Sequence, residues 1–193
     1  MIKKYLPIFS LLLVSTFAIG ACFNATQMPI AIDNFTLQDY NGNNHSLLDY
    51  KDSVATVILF IATECPVSNA YNERMEIIFN EYGPKGFAFL GINSNKAEFV
   101  DRIKEHAEDN SLTFPILKDE KNVIADMFEA SVTPEVYVLN SEFEILYHGR
   151  IDNSRNESEV ASKDLENALD EIYSGNEVTK KVTKAFGCTI KRI

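Results

Sequence analysis

The chain has 193 residues, 46% of them hydrophobic, with a formal net charge of -10 and a pI of about 4.8. That length and composition suit one domain with a sizeable core. The acidic balance lacks the basic footprint of a DNA- or RNA-binding protein, so nucleic acid is excluded as the expected partner and the acidity reads as a solvated surface.

Lys3 and Lys4 precede an apolar run from Leu6 to Phe17 that is too short to span a bilayer, and Ala18-Ile-Gly-Ala21 supplies small residues for cleavage. Residues 1–21 therefore read as an export signal. Ile19-Gly20-Ala21-Cys22 resembles the lipobox of bacterial lipoproteins, with Cys22 as the acylated residue. Multiple acyl chains on Cys22 would anchor the protein to a membrane. Residues 22–29 read as a tether, residues 30–175 as the folded domain and residues 176–193 as a basic tail.

Phe35-Thr-Leu37 and Ser46-Leu47 flank Asn41-Gly42, a turn pair that predicts a small N-terminal β-hairpin. Val54 to Ala62 is an unbroken apolar, β-branched run, as expected of a central strand covered on both faces. Pro66 then fits the first position of a helix, where proline costs no hydrogen bond. Val67, Tyr71, Met75, Ile78 and Tyr82 recur at helical spacing, and Gly83-Pro84 is expected to close the helix. Cys65 falls at the N-cap, where unpaired N–H groups and the helix dipole favour a thiolate. That geometry lowers a thiol pKa and makes the sulfur a nucleophile. A buried, inert cysteine would need neither the proline nor the strand-to-helix turn.

Phe87 to Ile92 reads as a second buried strand. Asn95 and Glu98 predict a capping box for a helix with Phe99, Val100, Ile103 and Ala107 on one face. Phe114 to Leu117 fits a short edge strand, and Asn122 to Ala130 a short helix. Glu135 to Leu139 and Glu144 to Tyr147 predict an antiparallel pair, after which Arg150 and Asp152 are expected to form an ion pair. Val160 to Tyr173 predicts a final helix with Leu165, Ala168, Leu169 and Ile172 inward, ended by Gly175. The order implies an α/β fold with a mixed sheet covered on both faces, and Cys65 lies where such sheets place their sites.

Phe60-Ile-Ala-Thr-Glu-Cys65-Pro-Val-Ser68 resembles the active-site turn of thioredoxin-fold proteins, and Val132-Thr133-Pro134-Glu135 resembles their Thr-cis-Pro loop. With the hairpin and Phe114 to Asp119, residues 30–175 resemble the redoxin, or alkyl hydroperoxide reductase/thiol-specific antioxidant, family. The resemblance implies a thioredoxin-like fold with a central mixed sheet and an N-terminal β-hairpin extension. It implies substrate contacts at Pro66, Ser68, Thr133 and Pro134, and a thiol-dependent reaction needing no cofactor. Two departures stand out. Thioredoxins carry a second cysteine where this chain has Ser68. Peroxiredoxins carry a Pro-x-x-x-Thr-x-x-Cys motif where this chain has Ile58 and Ala62.

The expected function is thus an exported oxidoreductase in which Cys65 attacks a peroxide or a protein or small-molecule disulfide, with an external thiol as reductant. The competing reading is a redox-inert binding or metallochaperone module. No metal site is expected, since a copper site of the Sco type needs a second cysteine at the position of Asn69. His45, His106 and His148 are isolated. With Cys22 acylated, Cys188 is the remaining thiol that could resolve Cys65. Thirteen residues separate it from Gly175, enough to cross ~40 Å. Gly187 would let the chain bend beside it. An unpaired Cys188, one packed under Phe186, or one bridged to another chain are the alternatives.

Overall fold

A computed structural model describes residues 31–193. The export signal, Cys22 and the 22–29 tether lie outside the described residues. Among the described residues, no helix is long and apolar enough to cross a membrane.

The hairpin pairs β1 (Thr36–Gln38) with β2 (Asn44–Ser46). Asp39 organises its turn, accepting from the backbone N–H groups of Asn41 and Asn43 at 2.8 and 2.9 Å. The central strand β3 (Thr56–Phe60) is buried at every position. It pairs in parallel with β4 (Ala88–Asn93), which pairs in parallel with β5 (Ile116–Lys118). On its other side β3 runs antiparallel to β7 (Glu135–Leu139), itself antiparallel to β8 (Ile145–Gly149). The order β5-β4-β3-β7-β8 is a mixed five-stranded sheet.

The unbroken apolar run of β3 has its cause in two cores. Val57 and Leu59 face a layer of Tyr71, Met75, Ile103 and Leu165, whereas Ile58 and Phe60 face Leu47, Ile124 and Phe128. Alternation by one residue sends neighbours to opposite faces, so a strand between two cores must be apolar throughout. Each such side chain contributes about 1.5–3 kcal/mol by leaving water. The first core carries α2 (Asn72–Tyr82), α3 (Val100–Asp109) and α5 (Asp164–Tyr173), and the second carries α4 (Val123–Met127).

Four local expectations are corrected. The helix expected from Val67 to Tyr82 is broken, with α1 (Pro66–Asn69) ending before α2 begins. The Arg74 guanidinium donates to the Ala70 carbonyl at 3.1 Å and lies 3.7 Å over the Tyr71 ring, which stabilises the break. Gly83 does not end the helix in a left-handed turn, having φ -55; a 3-10 turn follows, and Gly86 at φ +93 makes the reversal. The helix after β4 starts at Val100, leaving Phe99 68% exposed, because Glu98 is drawn into the interior instead of capping. The last helix starts at Asp164 rather than Val160, after a short 3-10 turn.

The expected Arg150–Asp152 pair is exchanged for two others. Arg150 bonds Asp164 at 2.7 Å, and Asp152 bonds Arg74. Asp152 also accepts from the Tyr71 hydroxyl at 3.0 Å, pinning the helix break to the segment after β8.

The basic tail runs back across the domain. His148 donates its N–H to Lys181 O and accepts from Thr183 N, both at 2.9 Å, so the tail lies along β8. A Cβ on Gly149 would stand 2.0 Å from Thr183 Oγ1, so only glycine permits that approach. Lys180 reaches the buried carboxylate of Asp164 at 2.7 Å. Further on, β9 (Cys188–Thr189) pairs antiparallel with β6 (Val132–Thr133), and Ile190 is buried in the second core.

Candidate active site

Cys65 ends the loop after β3 and caps α1. Its own backbone is extended (φ -90, ψ 114), Pro66 follows at the first helical position, and Sγ accepts from Ser68 N at 3.3 Å. The sulfur is thus aimed at the start of the helical turn because Cys65 is the last extended residue and Pro66 the first helical one. Cys65 is 3% exposed and Ser68 fully buried. The Ser68 hydroxyl accepts from Ala62 N at 3.2 Å, closing the turn from inside. Pro66 and Glu64 are exposed.

The Thr133–Pro134 peptide is cis. Its Thr133 carbonyl oxygen lies 3.4 Å from Cys65 Sγ. Thr133 and Cys65 thus meet across a sequence gap of 68 residues. Cys65 is bonded to Cys188 as a disulfide, with Cα atoms 5.8 Å apart and a sequence separation of 123. Cys188 is half-buried, more accessible than its partner. In β9 it sits directly opposite Thr133. All six expected site residues inside the described region, Cys65, Pro66, Ser68, Thr133, Pro134 and Cys188, fall in this one neighbourhood. Gly187 serves it by close approach rather than by a bend, since a Cβ there would stand 2.0 Å from Thr133 O.

Sequence reasoning missed the residues that hold the turn. Glu98 is 4% exposed. Its Oε2 accepts from Thr63 N at 2.7 Å and Asn93 Nδ2 at 2.6 Å, and its Oε1 from Asn95 Nδ2 at 3.1 Å and Glu64 N at 3.3 Å. A carboxylate with four donors is a satisfied buried charge and fixes the backbone just before Cys65. Asn95 then accepts from Lys191 N at 2.7 Å, so the network reaches the tail. Asn69 Nδ2 donates to Thr63 O at 2.9 Å. The signal was present in Asn95 and Glu98, but their spacing also fits a helix cap.

Glu135, next to the cis-proline, holds the other wall. Its Oε2 accepts from Ser131 N at 2.8 Å and Val132 N at 3.1 Å, and its Oε1 meets His148 Nε2 at 2.6 Å. Burial pushes this carboxyl up, but the bonds from His148, Ser131 and Val132 outweigh burial and hold it below the usual carboxylate range. His148 also stacks on Tyr137 with centroids 4.2 Å apart. Two buried side-chain oxygens of the described residues have no hydrogen-bond partner, Thr63 Oγ1 and Thr133 Oγ1, one on each wall. Among the described residues, no three His, Cys, Asp or Glu side chains are grouped to hold a metal.

A helix-capping cysteine facing a Thr-cis-Pro loop at the end of a mixed sheet defines a thioredoxin-like fold. The model of the AhpC/TSA family matches residues 30–154, and the chain belongs to that family. It is 31% identical over 110 residues to the thioredoxin-like protein YneN of Bacillus subtilis, covering 56% of this chain and 63% of that protein. It is 31% identical over 72 residues to the probable glutathione peroxidase 8 of Arabidopsis thaliana, covering 37% of this chain and 42% of that one. The chain thus spans less than two thirds of either curated relative. Among solved structures, a hypothetical protein of Sinorhizobium meliloti superposes with a TM-score of 0.81 at 30% identity, covering 88% of this chain and 97% of that one.

Proposed function

We propose that the protein is a thiol-dependent oxidoreductase in which Cys65 is the nucleophile and Cys188 the resolving thiol. The observation that carries this reading is the Cys65–Cys188 disulfide. The Cys65 thiolate attacks a peroxide oxygen, leaving a sulfenic acid and an alcohol or water, or attacks a disulfide sulfur, leaving a mixed disulfide and a thiol. The Cys188 thiol then attacks the Cys65 sulfur, releasing water or the second thiol and closing the internal disulfide. An external dithiol returns the two electrons. Its first thiolate attacks the more exposed Cys188 sulfur, and Cys65 leaves as a thiolate accepting from Ser68 N. Pro66, Ser68, Thr133 and Pro134 shape the place of the incoming substrate. The names of the relatives, thioredoxin-like and glutathione peroxidase, support both branches.

Residues 1–21 act as the export signal, with the protein held outside the cytoplasm by acyl chains on Cys22 through the 22–29 tether. Residues 30–175 form the redoxin domain and residues 176–193 the tail that brings the second thiol. The mass of the mature protein tests the anchor, since acylation adds its chains to a terminus beginning at Cys22.

Stoichiometric hydroperoxide added to reduced Cys188→Ser protein should leave a dimedone adduct on Cys65, and the parent should instead yield a Cys65–Cys188 peptide on non-reducing mass mapping. A Cys65 that takes up neither oxidant and titrates like a free cysteine would return the protein to the class of inert binding modules.

A further inference from the structure

We propose that the docked tail makes Cys65 selective for small oxidants, hydroperoxides by class, and disfavours disulfides borne on polypeptides. The proposal rests on Cys65 being the nucleophile and decides which of its two oxidants reaches it. The structure displays how a peptide-borne sulfur meets Cys65. The backbone carrying it pairs antiparallel with Val132–Thr133 and places its cysteine opposite Thr133. The chain's own Cys188–Thr189 segment fills that place. A strand edge offers one row of unpaired groups to one partner, so a strand already seated there blocks a second.

Contacts besides the disulfide fasten the tail on both sides of Cys188. Ile190 N donates to Ser131 O at 3.0 Å and its side chain is buried. Beyond it, Lys191 N meets Asn95 Oδ1 at 2.7 Å, Ile193 N meets Asn122 Oδ1 at 3.0 Å, and Arg192 Nη2 donates to Ala130 O at 2.7 Å. On the other side of Cys188, the Phe186 ring sits edge-on to Tyr71 at 6.3 Å, and Thr183 and Lys180 are bound to β8 and Asp164. A tail fastened on both sides of Cys188 competes with an external strand as an intramolecular ligand, at millimolar effective concentration or higher. A polypeptide must displace it. A hydroperoxide needs no strand edge to reach the sulfur, and the buried, unpartnered hydroxyls of Thr63 and Thr133 lie on the two loops that meet at Cys65. The favoured reaction balances as Cys65 thiolate plus ROOH plus a proton giving Cys65 sulfenic acid plus ROH. Cys188 then converts the sulfenic acid to the disulfide and water, and the external dithiol restores both thiols.

The test uses reduced full-length Cys188→Ser protein, which lacks the second thiol but keeps the residues that make the other tail contacts. Three single-turnover rates of Cys65 are compared, with hydrogen peroxide, with the small disulfide 5,5′-dithiobis(2-nitrobenzoate), and with an extended peptide carrying a cysteine as the mixed disulfide of the same leaving group. The peptide should react at least about tenfold more slowly than the small disulfide, reflecting tail displacement. Adding Gly187→Val, which forces the tail off the Thr133 carbonyl, should raise the peptide-to-small-disulfide ratio about tenfold. Arg192→Ala, a milder loosening at a half-exposed position, should raise it less. Because the ratio is internal, a partly destabilised variant still reports. A ratio near one with the tail docked, or one moved by neither substitution, would overturn the proposal. Cys65 inert to peroxide and small disulfide alike would overturn the oxidoreductase reading itself, and the proposal with it.

Discussion

The two cysteines of the site are held by opposite means. Cys65 is placed by its neighbours in sequence, at the end of a buried strand, before a proline, with its sulfur against the N–H of Ser68 three residues on. Cys188 has no regular element of its own beyond a two-residue strand, and is placed by contacts with residues scattered from Asn95 to Asp164. A nucleophile needs a fixed and specific electrostatic setting, which local structure supplies cheaply. A resolving thiol needs only to be near, which a strapped segment supplies from any point in the chain.

The contrast breaks most completely at the sulfurs. Cys65→Ser should abolish oxidant consumption to background. Cys188→Ser should keep one oxidation per chain yet fail to turn over unless a small thiol is added, as read by peroxide consumption and dimedone labelling. Equal loss of the first oxidation in both variants would contradict the division of roles.

On the Cys65 side, Glu98→Gln keeps the volume but turns an amide NH2 toward backbone donors. It should cost about 1–3 kcal/mol in chemical denaturation and slow Cys65 oxidation, because Thr63 and Glu64 lose an anchor. An unchanged midpoint would mean the carboxylate is dispensable.

Acid should discriminate the walls next. Glu135 has a folded-state pKa below its unfolded one, so its contribution is fully present above the ordinary glutamate value of about 4.3 and is lost as pH falls through the lower folded value. Urea melts at falling pH should show the parent losing stability more steeply than Glu135→Gln in that window. Parallel profiles would remove Glu135 from the account.

The smallest effect belongs to the tail end. Arg192→Ala removes the ion pair to Asp126 at 3.2 Å and the bond to the Ala130 carbonyl, and should cost no more than about 1 kcal/mol. A larger loss would show that Arg192 contributes more than a surface ion pair and one hydrogen bond.

Much of this was legible from local pattern. The β3 run, the Cys65-Pro66 junction, the Asn41-Gly42 turn and the buried positions of α2 follow from period, proline and turn chemistry, all of which act within a few residues. The same locality explains the errors. Asn95 and Glu98 satisfy a capping pattern, yet two backbone N–H groups of the Cys65 turn, 35 and 34 residues earlier, claim the Glu98 carboxylate. Arg150 and Asp152 are close in sequence but each finds its countercharge elsewhere, on Asp164 and Arg74. Gly187 was read as a bend, and is needed because the Thr133 carbonyl lies where a Cβ would go.

The sequence by itself determined the resemblance to the family, the order of the main strands and helices, and the setting of Cys65, the proposed nucleophile, because each rests on short local patterns. Only the tertiary structure decided that Cys188 meets Cys65 across 123 residues, that the tail completes a strand pair over the cis-proline loop, and that Glu98 holds the turn. Those contacts depend on where the sheet brings distant backbones together, and a side chain's pattern with its neighbours carries no record of a partner on another element.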